Sequence, residues 1–360
     1  MKAAVLTLHN MCNYGSQLQT YATQEKLRQY FDEVIFIDYR RPDTYGMEFL
    51  RYFSRGNPVK AAAVLPTLLR YKRLFGDFQK KQIHLTDKTY FSEKDFKNFE
   101  DIADIYFSGS DLVWSSSLNR GVIPFYYLSF VPENRPKYAY ASSFGESRLS
   151  EDEIAQTKNY IRRFAGISVR ESSGISILNE QYHYPAAVQI PDPTLAFPGD
   201  YWRSLAPKCM IQDKYILVYS LNRNKNLDKY AVELSKRTGY KLYRLCTRYD
   251  HMLRPGHSIV MPPVFGFITL IDHAELVLTD SFHGTAFSMN LETQPICVSP
   301  PACGERLRDF LSLLNEEDRL ISNFQDFGVC NRHVDFERVR KILAQERKKT
   351  DKFLKEITGR

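Results

Sequence analysis

Residues 3–38 read AAVLTLHNMCNYGSQLQTYATQEKLRQYFDEVIFID, and the fold class follows from how this stretch divides. Ala3 to Leu8 is apolar, Asn13-Tyr14-Gly15 supplies a turn, Ser16 to Phe31 has helical spacing, and Val34 to Asp38 is apolar and β-branched. That is a strand–helix–strand unit of the length a parallel crossover needs.

The same alternation continues to the end of the chain. Ile105 to Phe107 predicts a short buried strand ending at Gly109-Ser110-Asp111, and Tyr138 to Ala141 another that stops at Ser142-Ser143. Glu151 to Phe164 reads as helix and Gly166 to Val169 as strand. Arg170-Glu171-Ser172 opens a helix toward Leu178, and Val188 to Ile190 ends at Asp192-Pro193-Thr194. In the second half, strands are expected at Tyr215 to Tyr219, Lys241 to Cys246, Leu276 to Thr279 and Pro295 to Val298. Helices are expected at Leu227 to Thr238, Phe267 to His273 and from Gly284. Such alternation predicts an α/β protein with two Rossmann-like domains, parallel sheets and helices on both faces, its active site in the cleft between the halves. The expected division is 1–200, with a basic helical insertion at about 50–100, then 201–330, then a C-terminal helical segment 331–360. The boundary is placed in the loop from Pro198 to Asp213, and Val334 to Ile357 predicts a charged amphipathic helix.

A chain of 360 residues is long enough for two cores, and its 43% hydrophobic and 25% charged residues are ordinary for a globular protein. Uncharged apolar stretches fall short of the roughly 20 residues that span a bilayer, and Lys2 leads straight into a strand pattern; a cytoplasmic protein is expected. Cys12, Cys209, Cys246, Cys297, Cys303 and Cys330 are scattered, without a C-x-x-C pair, which predicts reduced thiols rather than a disulfide framework or a zinc site. Between Arg51 and Lys81 eight basic residues face only Asp77, which matches the whole net charge of +7. An excess so confined points to a local anionic partner, a phosphate-bearing substrate or a membrane surface, and away from general nucleic-acid binding.

In open parallel sheets ligands sit beyond the carboxyl ends of the strands, where helix N-termini offer N–H groups. Asn13, Gly15 and Ser16 occupy that place after the first strand, either as an anion loop or as a turn and helix cap with Asn13 in left-handed conformation. Gly109, Ser110 and Asp111 occupy it after a later strand, where Asp111 could accept a sugar hydroxyl proton or simply cap a helix. Asp192 before Pro193 reads as a turn. The sharpest signal is Thr279-Asp280-Ser281-Phe282-His283-Gly284-Thr285, a strand running into polar residues and then a helix. His283 there can transfer a proton near neutral pH, while Ser281, Thr285 and the N–H groups from Gly284 onward can hold phosphate oxygens. His251, His257 and His273 lack this setting and read as surface or structural. Arg170 can clamp a carboxylate or phosphate in bidentate fashion. Arg306 and Arg308 open a later helix, where Arg306 is the candidate substrate contact. No P-loop, G-x-S-x-G elbow or paired-carboxylate site is present.

Taken in order, these motifs resemble the polysaccharide pyruvyl transferase family over most of the chain. The resemblance rests on Asn13-Tyr14-Gly15 with Leu18, Gln19 and Ala22, Phe107-Ser108-Gly109-Ser110-Asp111 with Trp114, and Tyr140-Ala141-Ser142-Ser143-Phe144-Gly145. It extends to Ser168-Val169-Arg170-Glu171, Asp192-Pro193-Thr194, and Ala274-Glu275-Leu276-Val277 leading into Ser281-Phe282-His283-Gly284. It implies a fold of the glycosyltransferase B type and pyruvyl transfer from phosphoenolpyruvate onto two sugar hydroxyls, giving a cyclic ketal on a cell-surface glycan precursor, with neither metal nor further cofactor. Arg170 and His283 match the family's arginine and histidine, implying donor binding and proton transfer, with Asp111 taken as the base. The stretch Val59 to Lys81 departs from the family pattern. There Leu65, Leu68, Leu69 and Leu74 stand beside Arg70, Lys72 and Arg73, a helix that either packs on the first domain or could rest on an anionic membrane and meet a lipid-pyrophosphate-linked sugar. A glycosyltransferase using a nucleotide sugar, and a non-catalytic binder of glycan precursors, are the alternatives the same fold allows.

Overall fold

In the computed structural model, which describes residues 1–41, 44, 46–301 and 304–359, the chain forms two compact units: Met1–Ala196 with Glu346–Arg360, and Phe197–Gln345. The first unit runs β1 (Lys2–Leu6), α1 (Tyr14–Leu27), β2 (Glu33–Tyr39), α2 (Gly46–Ser54), α3 (Pro58–Gln82), β3 (Leu85–Tyr90), α4 (Glu93–Lys97), β4 (Ile105–Ser108), α5 (Ser116–Asn119), β5 (Lys137–Ser142), α6 (Glu151–Ile161), β6 (Gly166–Val169), α7 (Ser172–Ser176) and β7 (Val188–Gln189). The second runs α8 (Gly199–Leu205), β8 (Tyr215–Tyr219), α9 (Lys225–Thr238), β9 (Lys241–Cys246), β10 (His257–Val260), α10 (Gly266–Asp272), β11 (Leu276–Thr279), α11 (Phe282–Asn290), β12 (Gln294–Val298), α12 (Glu305–Leu313) and β13 (Leu320–Ile321), followed by α13 (Phe336–Thr358), whose last turns belong to the first unit.

Each unit is built on one fully parallel sheet, ordered β3-β2-β1-β4-β5-β6-β7 in the first and β10-β9-β8-β11-β12-β13 in the second. Central strands covered on both faces need continuous apolar runs. Ala3, Ala4, Val5 and Leu6 of β1, and Tyr215 to Tyr219 of β8, are accordingly buried without alternation. The strand order reverses between β1 and β4 in the first sheet and between β8 and β11 in the second. Loops beyond the carboxyl ends of those four strands therefore border the two crevices where doubly wound sheets take ligands.

Four expectations change in detail. Helix α1 starts at Tyr14, so Tyr14 and Gly15 are its first turn rather than a preceding turn; Asn13, extended at φ −144°, caps it by accepting the Ser16 N–H. The expected insertion at 50–100 is not separate, because its β3 pairs with β2 and closes the sheet edge. The expected boundary loop holds α8, anchored by Trp202, fully buried against Phe287, and by Arg203, which donates to Asp272 and to the Leu291 carbonyl. At the C-terminus, Asp351 accepts from the Tyr30 hydroxyl and pairs with Lys26, and Arg347 donates to the Leu195 carbonyl, which ties this end to the first unit.

Among the described residues no helix is long and apolar enough to cross a membrane. Cys12, Cys209, Cys246, Cys297 and Cys330 carry free thiols, with burial pushing Cys12 up to about 12 and Cys297 up to about 11; Cys303 lies outside the described residues.

Candidate active site

The crevice of the first sheet is organised by Asp111. It follows β4 at φ +69°, a left-handed conformation that aspartate tolerates better than most residues. Its carboxylate accepts from the Ser16 hydroxyl at 2.7 Å and from the Arg170 guanidinium at 3.2 Å. Residues 95 and 59 positions apart in sequence thus meet across the β1–β4 switch point. The loop carrying Asp111 is clamped from both sides. Thr7 donates to the Ser110 carbonyl, and the Ser142 hydroxyl donates to the Gly109 carbonyl at 2.9 Å. Gly109 is needed for that fit, since a Cβ there would lie 2.7 Å from the Thr7 Cβ.

A bulge in β5 shapes the neighbouring loop. Pairing with β6 slips between Ala139 and Ser142, and Ala141 takes φ +51°. Bulges beside sites re-aim side chains. Here the slip sets Ser142 against β4, and the hydroxyls of Ser143 and Ser110 beside it are fully buried with no hydrogen-bond partner among the described residues. Buried hydroxyls without partners are rare and mark places where a ligand or water completes the bonding.

Arg170 follows β6 and is surrounded by carboxylates. It donates to Asp192 at 2.6 Å and to Asp111 at 3.2 Å, and lies 3.6 Å from Glu171. Burial alone would lower its pKa, but the carboxylates of Asp192, Asp111 and Glu171 outweigh that and raise it. Glu171 also accepts from the N–H groups of Phe144 and Gly145, and Asp192 from the N–H and hydroxyl of Thr194. The guanidinium expected as a donor clamp is thus engaged by Asp192 and Asp111 within the first unit. The geometry instead makes Arg170 the residue that holds Asp111 in place. Asp192, read from sequence as a turn, is part of this cluster.

Sequence reasoning passed over a second buried pair beneath the same crevice. His9, fully buried after β1, sits 2.9 Å from Asp38 at the end of β2. Burial would raise the Asp38 pKa, but hydrogen bonds from His9, Arg40 and Thr89 hold it well below the usual carboxylate range. The His9 carbonyl accepts from both Gln17 and Gln79, fixing the β1–α1 loop. The available signal was a histidine and an aspartate at the ends of adjacent strands.

In the second unit the crevice is organised by Asp280, which follows β11. Its carboxylate accepts from the N–H groups of Leu221 and Asn222, the Asn222 amide and the Ser220 hydroxyl, stitching the β8 loop to β11 across the switch point. Ser281 caps α11: its hydroxyl accepts the Gly284 N–H at 3.3 Å, and its carbonyl accepts the N–H and hydroxyl of Thr285. A phosphate cradle built from Ser281, Gly284 and Thr285, as expected from sequence, would have to displace this cap. His283 lies in the first turn of α11, 7% exposed, its ring edge-on to Phe282 at 5.3 Å. Arg306 of α12 stands 5.7 Å from the centre of the Phe282 ring, bringing a cation to the N-terminus of α11, whereas Arg308 pairs with Glu305 at the surface. His251 is buried, which pulls it down to about 4, and is neutral at physiological pH.

Gly284 packs so closely that a Cβ would fall 2.5 Å from the Thr279 hydroxyl, itself bonded to the Ser281 N–H, and 3.1 Å from Tyr219. Gly284→Ala is expected to cost about 1–3 kcal/mol through this overpacking, measured by urea denaturation. A neutral substitution would show that the turn is looser than drawn.

A family profile described as polysaccharide pyruvyl transferase matches residues 13–301, a span that runs from the α1 cap through both crevices. The chain belongs to that family. As a pyruvyl transferase it is an enzyme of polysaccharide modification by pyruvylation. Two solved structures show the same fold. The S. aureus MnaA–UDP co-structure superposes with a TM-score of 0.53 at 11% identity, covering 95% of this chain and 90% of its own. A glycosyltransferase from Rickettsia africae ESF-5 gives 0.52 at 10% identity, covering 99% of this chain and 98% of its own. At such identity the likeness concerns architecture: the pyruvyl transferase has a fold of the glycosyltransferase B type. No curated protein matches the chain.

Proposed function

We propose that the protein transfers the pyruvyl group of phosphoenolpyruvate onto two hydroxyls of one sugar in a cell-surface polysaccharide precursor, closing a cyclic ketal. The observation that carries this reading is His283, nearly buried in the first helical turn after β11 and inside the matched stretch, with Arg306 standing 5.7 Å from the ring of the neighbouring Phe282. A phosphoenolpyruvate donor implies a cytoplasmic reaction, and the acceptor sugar is taken to be linked to a lipid pyrophosphate, met at an anionic membrane surface.

In this reading His283 gives its proton to C3 of the enol, turning the methylene into a methyl and leaving C2 electron-poor. A first sugar hydroxyl adds to C2 and gives up its proton to Asp111. The C2–O–phosphate bond then breaks, and phosphate departs with the proton that Asp111 took, which restores the carboxylate. The second hydroxyl adds to C2, and its proton restores His283. Two C–O bonds form and one breaks, one proton enters at carbon, and of the two released by the hydroxyls one leaves with phosphate, so charge balances. Arg306 serves the donor anion. Arg170 fixes Asp111, and the hydroxyls of Ser110 and Ser143 are offered to the sugar. No further cofactor takes part.

The test is phosphate release from phosphoenolpyruvate with lipid-linked and nucleotide-linked sugars as acceptors. Release is expected only with an acceptor. Asp111→Asn, which keeps an oxygen for Ser16, should lower kcat by about 10²–10⁴ with little change in the KM for phosphoenolpyruvate. If no acceptor supports release and phosphoenolpyruvate gives no thermal shift, the donor is wrong. Nucleotide sugars would then be tested as donors, although Asp280 is already engaged by four donors of the β8 loop.

A further inference from the structure

The helical pair α2–α3 takes no part in the chemistry above, yet it encloses a pocket of about 520 Å³. That volume lies within the roughly 300–1,000 Å³ of small-molecule sites, which are mostly apolar with a few polar groups. Phe49 and Leu50 of α2 form one side, and Leu65, Leu68, Leu69 and Phe75 of α3 the other. Leu65 is 44% and Leu69 61% exposed, so the mouth of the pocket holds two leucines in water. Exposed apolar surface gathered around a cavity marks a binding site rather than chance.

Both charged residues that line the pocket, Arg40 and Lys72, are basic. Lys72 lines the pocket, Arg73 beside it is exposed, and the segment from Arg51 to Lys81 carries eight basic residues against Asp77. Arg40 also lines the pocket, but its guanidinium is held by Asp38 at 2.8 and 2.9 Å, so it is Lys72 that offers an open charge. The floor is made by Asn10 and Cys12 of the β1–α1 loop, whose next residue, Asn13, caps α1 above the Ser16–Asp111 bond. Gln79 of α3 donates to the His9 carbonyl and fixes that loop against the pocket.

We infer that this pocket binds a single apolar chain ending in a phosphate, the lipid-phosphate portion of the acceptor. An apolar cavity with a cationic mouth suits an amphiphile with an anionic head better than a neutral lipid or a free anion. The loop that forms its floor runs on into the α1 cap, so the pocket adjoins the crevice that holds Asp111. Its role as acceptor carrier rests on the proposed reaction; its binding does not.

The test is isothermal titration of the full chain with farnesyl phosphate below its micelle concentration, beside farnesol, inorganic pyrophosphate and phosphatidylserine vesicles. Farnesyl phosphate is expected to bind at least about tenfold tighter than farnesol, and pyrophosphate to show no binding at this site. The exposed double variant Leu65→Glu, Leu69→Glu should lose farnesyl phosphate binding. Lys72→Glu should erase the preference for phosphate over alcohol while keeping the melting temperature. Farnesyl phosphate binding that survives the double variant, or binding to vesicles alone, would overturn the pocket. Phosphate release from phosphoenolpyruvate is read separately: its absence with farnesyl phosphate binding retained overturns the reaction and leaves the pocket standing.

Discussion

Replacing His283 with alanine is expected to lower acceptor-dependent phosphate release from phosphoenolpyruvate by about 10²–10⁴, the usual contribution of a positioned proton donor. The protein should remain folded, because His283 lies in an end turn of α11 and its backbone is held by the Ser281 cap, which the substitution leaves intact. In the proposed reaction the costly step is protonation of the enol carbon C3, and no other titratable side chain shares that turn of α11. The KM for phosphoenolpyruvate should change far less than kcat, since the lost interaction develops only as the proton moves. His283→Gln sharpens the test: it keeps a hydrogen-bonding amide of similar reach without a transferable proton, and should be as inactive as alanine. A glutamine variant retaining more than a tenth of the rate would assign His283 to binding. A protein that only binds glycan precursors would keep its ligand affinity in both variants.

The second large effect is expected at Arg170, and it concerns stability before catalysis. Its side chain is 1% exposed, and Asp111, Asp192 and Glu171 surround it at 3.2, 2.6 and 3.6 Å. Arg170→Ala takes the guanidinium away from three carboxylates; breaking a buried pair in this way costs about 3–5 kcal/mol. Lysine should rescue little, because one ammonium cannot reproduce a planar fork with five donors shared among three partners. The pH dependence has a definite sign. Without the guanidinium the carboxylates repel one another in the folded state, so their folded pKa values rise above the unfolded values of about 4. Groups raised in this way destabilise the fold at high pH, and the penalty fades as pH falls toward the unfolded value. Urea denaturation should therefore show the largest deficit of Arg170→Ala at pH 7 and a smaller one at pH 5. A deficit below about 1 kcal/mol, or one independent of pH, would mean the cluster is solvated and Arg170 is free to serve the donor. With the expected result, loss of activity in Arg170→Ala says nothing of donor binding, and Arg306→Ala becomes the probe of that contact.

Much of the fold was legible in the sequence. The strands Gly166–Val169, Tyr215–Tyr219, Lys241–Cys246 and Leu276–Thr279 coincide with their expected bounds, and Tyr215–Tyr219 and Leu276–Thr279 do so because strands buried on both faces carry near-continuous apolar runs. The strands that escaped notice, β3, β10 and β13, lie at sheet edges. Leu85–Tyr90 places Thr86, Asp87, Lys88 and Thr89 between its apolar ends and exposes Asp87 and Lys88, so it carries neither an apolar run nor strict alternation. Helix α8 was hidden for a related reason: its seven residues are too short to show a period, and its anchors Phe287, Asp272 and Leu291 lie far off in the chain.

The candidate site divides along the same line. Sequence alone determined that the chain alternates strands and helices in two α/β halves, and that Ser16, Asp111, Arg170, Asp192 and His283 stand at strand ends, because hydrophobic periodicity and turn chemistry act between residues a few positions apart. Only the tertiary structure showed that Arg170 pairs with Asp111 and Asp192, that Asp280 accepts from the β8 loop, and that His9 meets Asp38. Electrostatic partnership depends on distances of a few ångströms, and those are set by which strands lie side by side. The reversal of strand order between β1 and β4, and between β8 and β11, joins loops far apart in sequence, and local pattern holds no record of it.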